Sequence, residues 1–149
     1  DPGETLNALR ASLSEELATT EMFISAFYGV VDPVREVLRY ANTGHPHAFV
    51  IGTDGSVERL PALDPPLGMT DVSPGTGTRR WRSGELLLLF TDGISEARDR
   101  QDVRLGEEAV LKVVGDAVAP SAIKATNASH TTPLCIVVLR KSDVEAHSL

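Results

Sequence analysis

The run Leu86-Leu87-Leu88-Leu89-Phe90 passes directly into Thr91-Asp92-Gly93. A short apolar run bounded by turn signals reads as a strand covered on both faces. The chain must therefore build layers on either side of it, which excludes a single-layer fold. This buried strand also ends on a carboxylate. Partial desolvation of that group is costly unless a cation or hydrogen bonds compensate, and carboxylate oxygens suit magnesium or manganese. The competing reading is a plain Asp-Gly turn after a strand, with the Asp92 carboxylate capping the next segment of chain.

The remaining pattern fills in the layers. Asp1-Pro2 reads as a helix cap with proline in the first turn. Leu6, Leu9, Leu13 and Leu17 recur at helical spacing, predicting an amphipathic helix over roughly residues 3–18. From Met22 to Val31 apolar residues occupy both alternating sets, so a strand buried on both sides is expected. Asp32-Pro33 is a turn signal, and 36–42 is the return strand, with Leu38 and Tyr40 inward and Arg39 outward. Strands are expected at 47–51 and 57–60 around the hairpin turn Thr53-Asp54-Gly55-Ser56. A Pro- and Gly-rich loop spans 61–77, then strands are expected at 78–82, 86–91 and 134–139. A second helix is expected over 106–118, with Ala109, Val110, Val113, Val114 and Ala117 on one side.

Strands that need cover on both faces, joined by mostly short connections, give an α+β class: an antiparallel two-sheet β-sandwich flanked by helices. Two helices are too few to cover both outer faces, so either a partner covers the rest or a neighbouring piece of the protein is absent from this chain, and the domain reads as incomplete. Residues 1–141 form the partial domain, and 142–149 form a polar tail.

Composition narrows the function. The 149 residues carry a formal net charge of −7, which argues against nucleic-acid binding, since that needs a basic face. Arg79, Arg80 and Arg82 around Trp81 read as a solvated strand edge rather than a phosphate patch. The single cysteine, Cys135, reads as a small buried hydrophobe. With no disulfide framework, signal peptide or membrane-spanning run in the sequence, the chain is read as cytoplasmic and not membrane-bound.

Few residues offer chemistry. In Asn42-Thr43-Gly44-His45-Pro46-His47, Gly44 supplies a positive φ and Asn42 a side chain for the loop backbone. His45 is then structural, with a catalytic histidine as the alternative; His45 and His47 as a metal pair would need further ligands. No nucleophile elbow, P-loop or Gly-x-Gly-x-x-Gly occurs.

Taken in order, several segments resemble the stage II sporulation protein E type of PPM protein phosphatase. They are 22–32, Leu38-Arg39-Tyr40-Ala41-Asn42-Thr43-Gly44-His45-Pro46, Pro66-Leu67-Gly68, the block Ser83–Arg98, and Leu105-Gly106-Glu107-Glu108. The resemblance runs from about Asp1 to Arg140. It implies a metal-dependent protein serine/threonine phosphatase, in which two manganese or magnesium ions, held mainly by aspartates, activate a water to attack the phosphorus. It implies as substrate a phosphorylated regulatory protein, such as an anti-sigma-factor antagonist. Asp92 matches the family's metal-binding aspartate. Gly93 and Glu96 match motif positions without an assigned catalytic role, and Asn42, Gly44 and His45 match a supporting motif. Dimerisation is left open.

The chain also departs from the family pattern. The family's opening strands and helix, with their aspartate and Gly-x-Gly-type segment, have no counterpart in this sequence. The Asp-Asp pair expected before the last strand is replaced by Thr132 and Pro133, and no Asp or Glu occurs in residues 117–142. The chain alone is therefore expected to bind divalent metal weakly, an incomplete site. These departures support an alternative function: a degenerate phosphatase fold serving as a non-catalytic regulatory or protein-binding module.

Overall fold

The computed structural model describes residues 1–32, 34–117 and, through their backbone, 137–140. Pro33, residues 118–136, with Thr132, Pro133, Leu134 and Cys135, and the tail 141–149 lie outside the described residues. The elements in chain order are α1 (Pro2–Ser12), α2 (Ser14–Thr20), β1 (Ala26–Asp32), β2 (Val37–Thr43), β3 (Ala48–Ile51), β4 (Val57–Arg59), β5 (Gly77–Arg80), β6 (Leu86–Leu89), α3 (Asp92–Ser95), α4 (Gly106–Ala117) and β7 (Val137–Arg140). Every strand pairing within the two sheets is antiparallel. Two compact units divide them, one built from Asp1–Pro46 with Leu60–Gly84, the other from His47–Arg59 with Glu85–Arg140.

The first unit carries a three-stranded sheet in the order β1-β2-β5. Asp1 caps α1, its Oδ1 accepting from the N–H groups of Gly3 and Glu4, and Pro2 opens the first turn. The single helix expected over 3–18 is two helices. The chain breaks at Leu13 (φ −103°, ψ 2°), and of the leucine stripe only Leu6 and Leu17 are buried. The strand expected from Met22 is also shorter and less covered than its composition implies. Met22 and Phe23 are 61% and 60% exposed, and Ile24 makes only a bridge to Leu67. β1 begins at Ala26 on a sheet edge, with β2 as its one ladder neighbour in that sheet. The core lies instead on β2 and the segments beside it: Leu38, Tyr40, Ala41, Leu60, Leu67 and Trp81 are buried, and Tyr40 stacks on Phe27 at 5.7 Å. Trp81 is thus not part of a solvated edge.

The second unit carries a four-stranded sheet, β4-β3-β6-β7. Phe49 pairs with Leu88 and Ile51 with Leu86. These four side chains share one face, and with Phe90, Ile94 of α3, and Val110 and Val114 of α4 they form a single buried cluster. On the opposite face Ala48, Val50 and Leu87 are also buried, as the apolar run of β6 requires. Val113, expected on the buried side of α4, is 63% exposed; the covered stripe is Val110 and Val114 at i, i+4, with Leu111 partly buried.

Candidate functional site

Alternation along β3 decides where the site lies. His47 precedes β3 and sits two residues before Phe49 and four before Ile51, in the same row as the buried cluster. Its carbonyl accepts the Phe90 N–H at 3.2 Å, which continues the β3–β6 ladder by one bond. This register brings the His47 and Phe90 rings together, stacked at 4.4 Å between centroids and 11° from parallel. His47 is therefore a buried imidazole at the end of an apolar row, and buried polar atoms need partners.

Both ring nitrogens have one. Nε2 lies 2.9 Å from Asp92 Oδ1 and Nδ1 lies 2.7 Å from Glu107 Oε2. An ionised carboxylate only accepts hydrogen bonds. The two contacts are satisfied together when both nitrogens carry hydrogens, or when one carboxyl does. Glu107 stands in the first turn of α4, where a negative charge is favoured by the helix dipole. It also pairs with Arg59 of β4, whose guanidinium lies over Phe49 at 4.6 Å. Ser95 Oγ lies 3.3 Å from His47 Nε2 and donates to the Asp92 carbonyl.

Asp92 opens α3, a helix of four residues, so the Asp-Gly sequence is the start of a helical turn. The residue before it, Thr91, holds the N-cap position without a side-chain cap bond, and its buried Oγ1 has no partner among the described residues. The Asp92 side chain is 67% exposed. Only its Oδ1 is engaged among the described residues, so Oδ2 is a hard oxygen donor facing outward. That chemistry fits one ligand of a divalent ion. A metal pair needs several more, and among the described residues no three His, Cys, Asp or Glu side chains form such a group. His47, Asp92 and Glu107 are neighbours, but both carboxylates are aimed at ring nitrogens rather than at a shared point.

The other residues singled out by sequence lie elsewhere. Gly93 is the second residue of α3. Glu96 caps its C-terminus, its N–H donating to the Asp92 carbonyl at 2.7 Å and its side chain pairing with Arg104 at 3.2 Å. Asn42, Gly44 and His45 belong to the first unit. There the buried Asn42 donates through Nδ2 to the His45 and Leu60 carbonyls and accepts the His45 N–H at Oδ1. Gly44 has φ +75°, and a Cβ there would stand 2.5 Å from Pro66 Cγ. The carboxylates thus gather on His47, not on His45. Two sequence signals point that way: the His47-x-Phe49-x-Ile51 alternation, and a glutamate at the start of the amphipathic helix α4.

Compared with known proteins, the chain is most informative in its fold. It resembles the SiaA PP2C domain of Pseudomonas aeruginosa with a TM-score of 0.65 at 19% identity, over 78% of this chain and 46% of that one. It resembles the RsbU and RsbW domains of a Mycobacterium tuberculosis protein with a TM-score of 0.53 at 20% identity, over 64% and 27%. The fold is accordingly that of PP2C phosphatase domains, mixing helices with antiparallel sheets. The family model for stage II sporulation protein E (SpoIIE) matches residues 1–135, and the chain belongs to that family. Protein IcfG of Synechocystis sp. is 30% identical over 113 residues, 73% of this chain and 18% of that protein. The chain thus spans under half the length of each of these relatives. No helix among the described residues is long and apolar enough to cross a membrane.

Proposed function

We propose that this chain is part of a metal-dependent protein serine/threonine phosphatase domain, acting on a phosphorylated regulatory protein such as an anti-sigma-factor antagonist. Membership of the SpoIIE family across residues 1–135 carries the reading. The outward Oδ2 of Asp92 at the end of a buried strand supports it. Likeness to a structure described as RsbU and RsbW domains supports a regulatory partner. Manganese or magnesium is the proposed metal, with Asp92 as one ligand. Among the described residues no three ligating side chains gather around it.

Full-length protein supplied with manganese is expected to release phosphate from p-nitrophenyl phosphate and from a phosphoserine protein. Failure to do so would favour a regulatory or protein-binding module, the reading supported by Thr132 and Pro133 at the place of the family's acidic pair. Restoring Thr132→Asp should then raise manganese affinity in the full-length protein.

A further inference from the structure

We propose that the uncovered end of one face of the β1-β2-β5 sheet, where Arg39 and Arg80 stand side by side, docks an extended acidic segment of a partner protein. Strand register sets the two arginines together. Arg39 pairs with Val30 and Thr78, and Arg80 pairs with Val37. Directly opposed residues share a face, and Arg39 and Arg80 are diagonal neighbours on it, with Cβ atoms about 7–8 Å apart. The other end of this face is covered. There α1 meets β1 and β2, Thr76 accepts the Gly3 N–H and donates to Asp1 Oδ1, and Ala41 and Thr43 are buried. That cover stops short of Arg39, Thr78 and Arg80, all exposed.

The chain as a whole is acidic, yet segments 35–39 and 78–82 hold five arginines against Glu36 alone. Charges on an edge strand block unwanted strand pairing, which accounts for Arg80 on β5. It does not account for Arg39, because β2 is the central strand. Arg80 has Glu36 at 3.1 Å and Arg35 has Asp32 at 3.0 Å, whereas Arg39 has no hydrogen bond or ion pair among the described residues. Like charges set close on one face cost stability. An anionic partner turns that cost into attraction. Carboxylates two residues apart on an extended chain stand about 6.7 Å apart, close to the spacing of the arginines. Each guanidinium can take a carboxylate through two parallel N–H donors. The fitting segment therefore carries Asp or Glu at alternate positions, with the half-buried Val30 and Val37 beneath it.

The test is binding of a fluorescein-labelled peptide of alternating Glu and Ser to the full-length protein, read by fluorescence anisotropy with thermal unfolding measured alongside. Binding should saturate and weaken as salt is added. Arg39→Gln should weaken it by about 2–5-fold, and the double variant with Arg80→Gln should weaken it further, with melting unchanged. Lys112→Gln removes the same charge from an exposed position on α4 of the second unit and should leave binding unchanged. No saturable binding in the wild type, or no loss in Arg39→Gln, would overturn the proposal. Equal losses in Arg39→Gln and Lys112→Gln would overturn it too, leaving only an effect of net charge. Tighter binding of oligothymidylate, lost in Arg39→Gln, would make this a nucleic-acid surface instead. Self-association without peptide, abolished by Arg39→Gln in sedimentation, would assign the face to a second copy and overturn the proposal as well. Binding is read without metal or turnover, so failure of the phosphatase reading leaves the result intact.

Discussion

Phe90 joins the core of the second unit to its site, and truncating it gives a quantitative test. The side chain is 1% exposed; it stacks on His47 at 4.4 Å and on Phe49 at 5.9 Å. Aromatic side chains bury roughly 150–250 Å² each, worth about 4–6 kcal/mol at ~25 cal/mol per Å². Alanine retains part of that. Each ring contact adds roughly 0.5–1.5 kcal/mol, while relaxation around the gap recovers some. Phe90→Ala should then cost about 3–5 kcal/mol, the usual range for such truncations. Against a typical total of about 5–15 kcal/mol, that removes a large share of the stability. Phe90→Leu fills most of the volume and should cost about 1.5 kcal/mol. Urea unfolding monitored by far-ultraviolet circular dichroism measures both, read at constant m-value. A loss under about 1 kcal/mol for Phe90→Ala would show that the ring is not the packed centre described, and would remove the support claimed for His47.

Three further perturbations address the first unit. Gly44→Ala places a Cβ at positive φ and against Pro66; at about 1–2 kcal/mol for the backbone alone, melting should fall by roughly 3–8 °C in a calorimetric scan. Asn42→Ala removes the side-chain bonds to the His45 N–H, the His45 carbonyl and the Leu60 carbonyl, and should cost about 2–4 kcal/mol in chemical denaturation; a neutral result would refute the bonding assigned to Asn42. Asp32 lies below the ordinary aspartate range, chiefly because the Arg35 N–H donates to it, with further help from the Arg35 guanidinium and the Val34 N–H. A carboxylate depressed on folding stabilises fully above its unfolded value, and that contribution is lost as pH falls through its folded value. Acid unfolding of Asp32→Asn should therefore lack part of the wild-type slope below about pH 4; superimposable slopes would contradict the assignment.

The apolar run 86–90 was readable because composition alone demands cover on both faces, and its pairing with β3 is in keeping with a hairpin-rich pattern. Asn42 and Gly44 were readable as loop chemistry for the same local reason. Other features depend on tertiary partners. Met22 and Phe23 have the composition of a buried strand, yet they precede an edge strand that has only one neighbour. Val113 lies on the apolar side of a helical wheel, but α4 meets the sheet along the narrower line of Val110 and Val114. His47 reads in the sequence as the first residue of the strand expected at 47–51, in the row of Phe49 and Ile51. The β3–β6 register adds what the alternation lacks, setting it on Phe90 and beside Asp92 and Glu107. That register joins residues 45 and 60 positions apart, a separation that local pattern does not encode.

The most direct test of the account is manganese-dependent phosphate release from a phosphoserine protein, comparing the full-length protein with Asp92→Asn. The account predicts turnover in the wild type, and loss to background in the variant with folding retained. Equal turnover in the two proteins would contradict it.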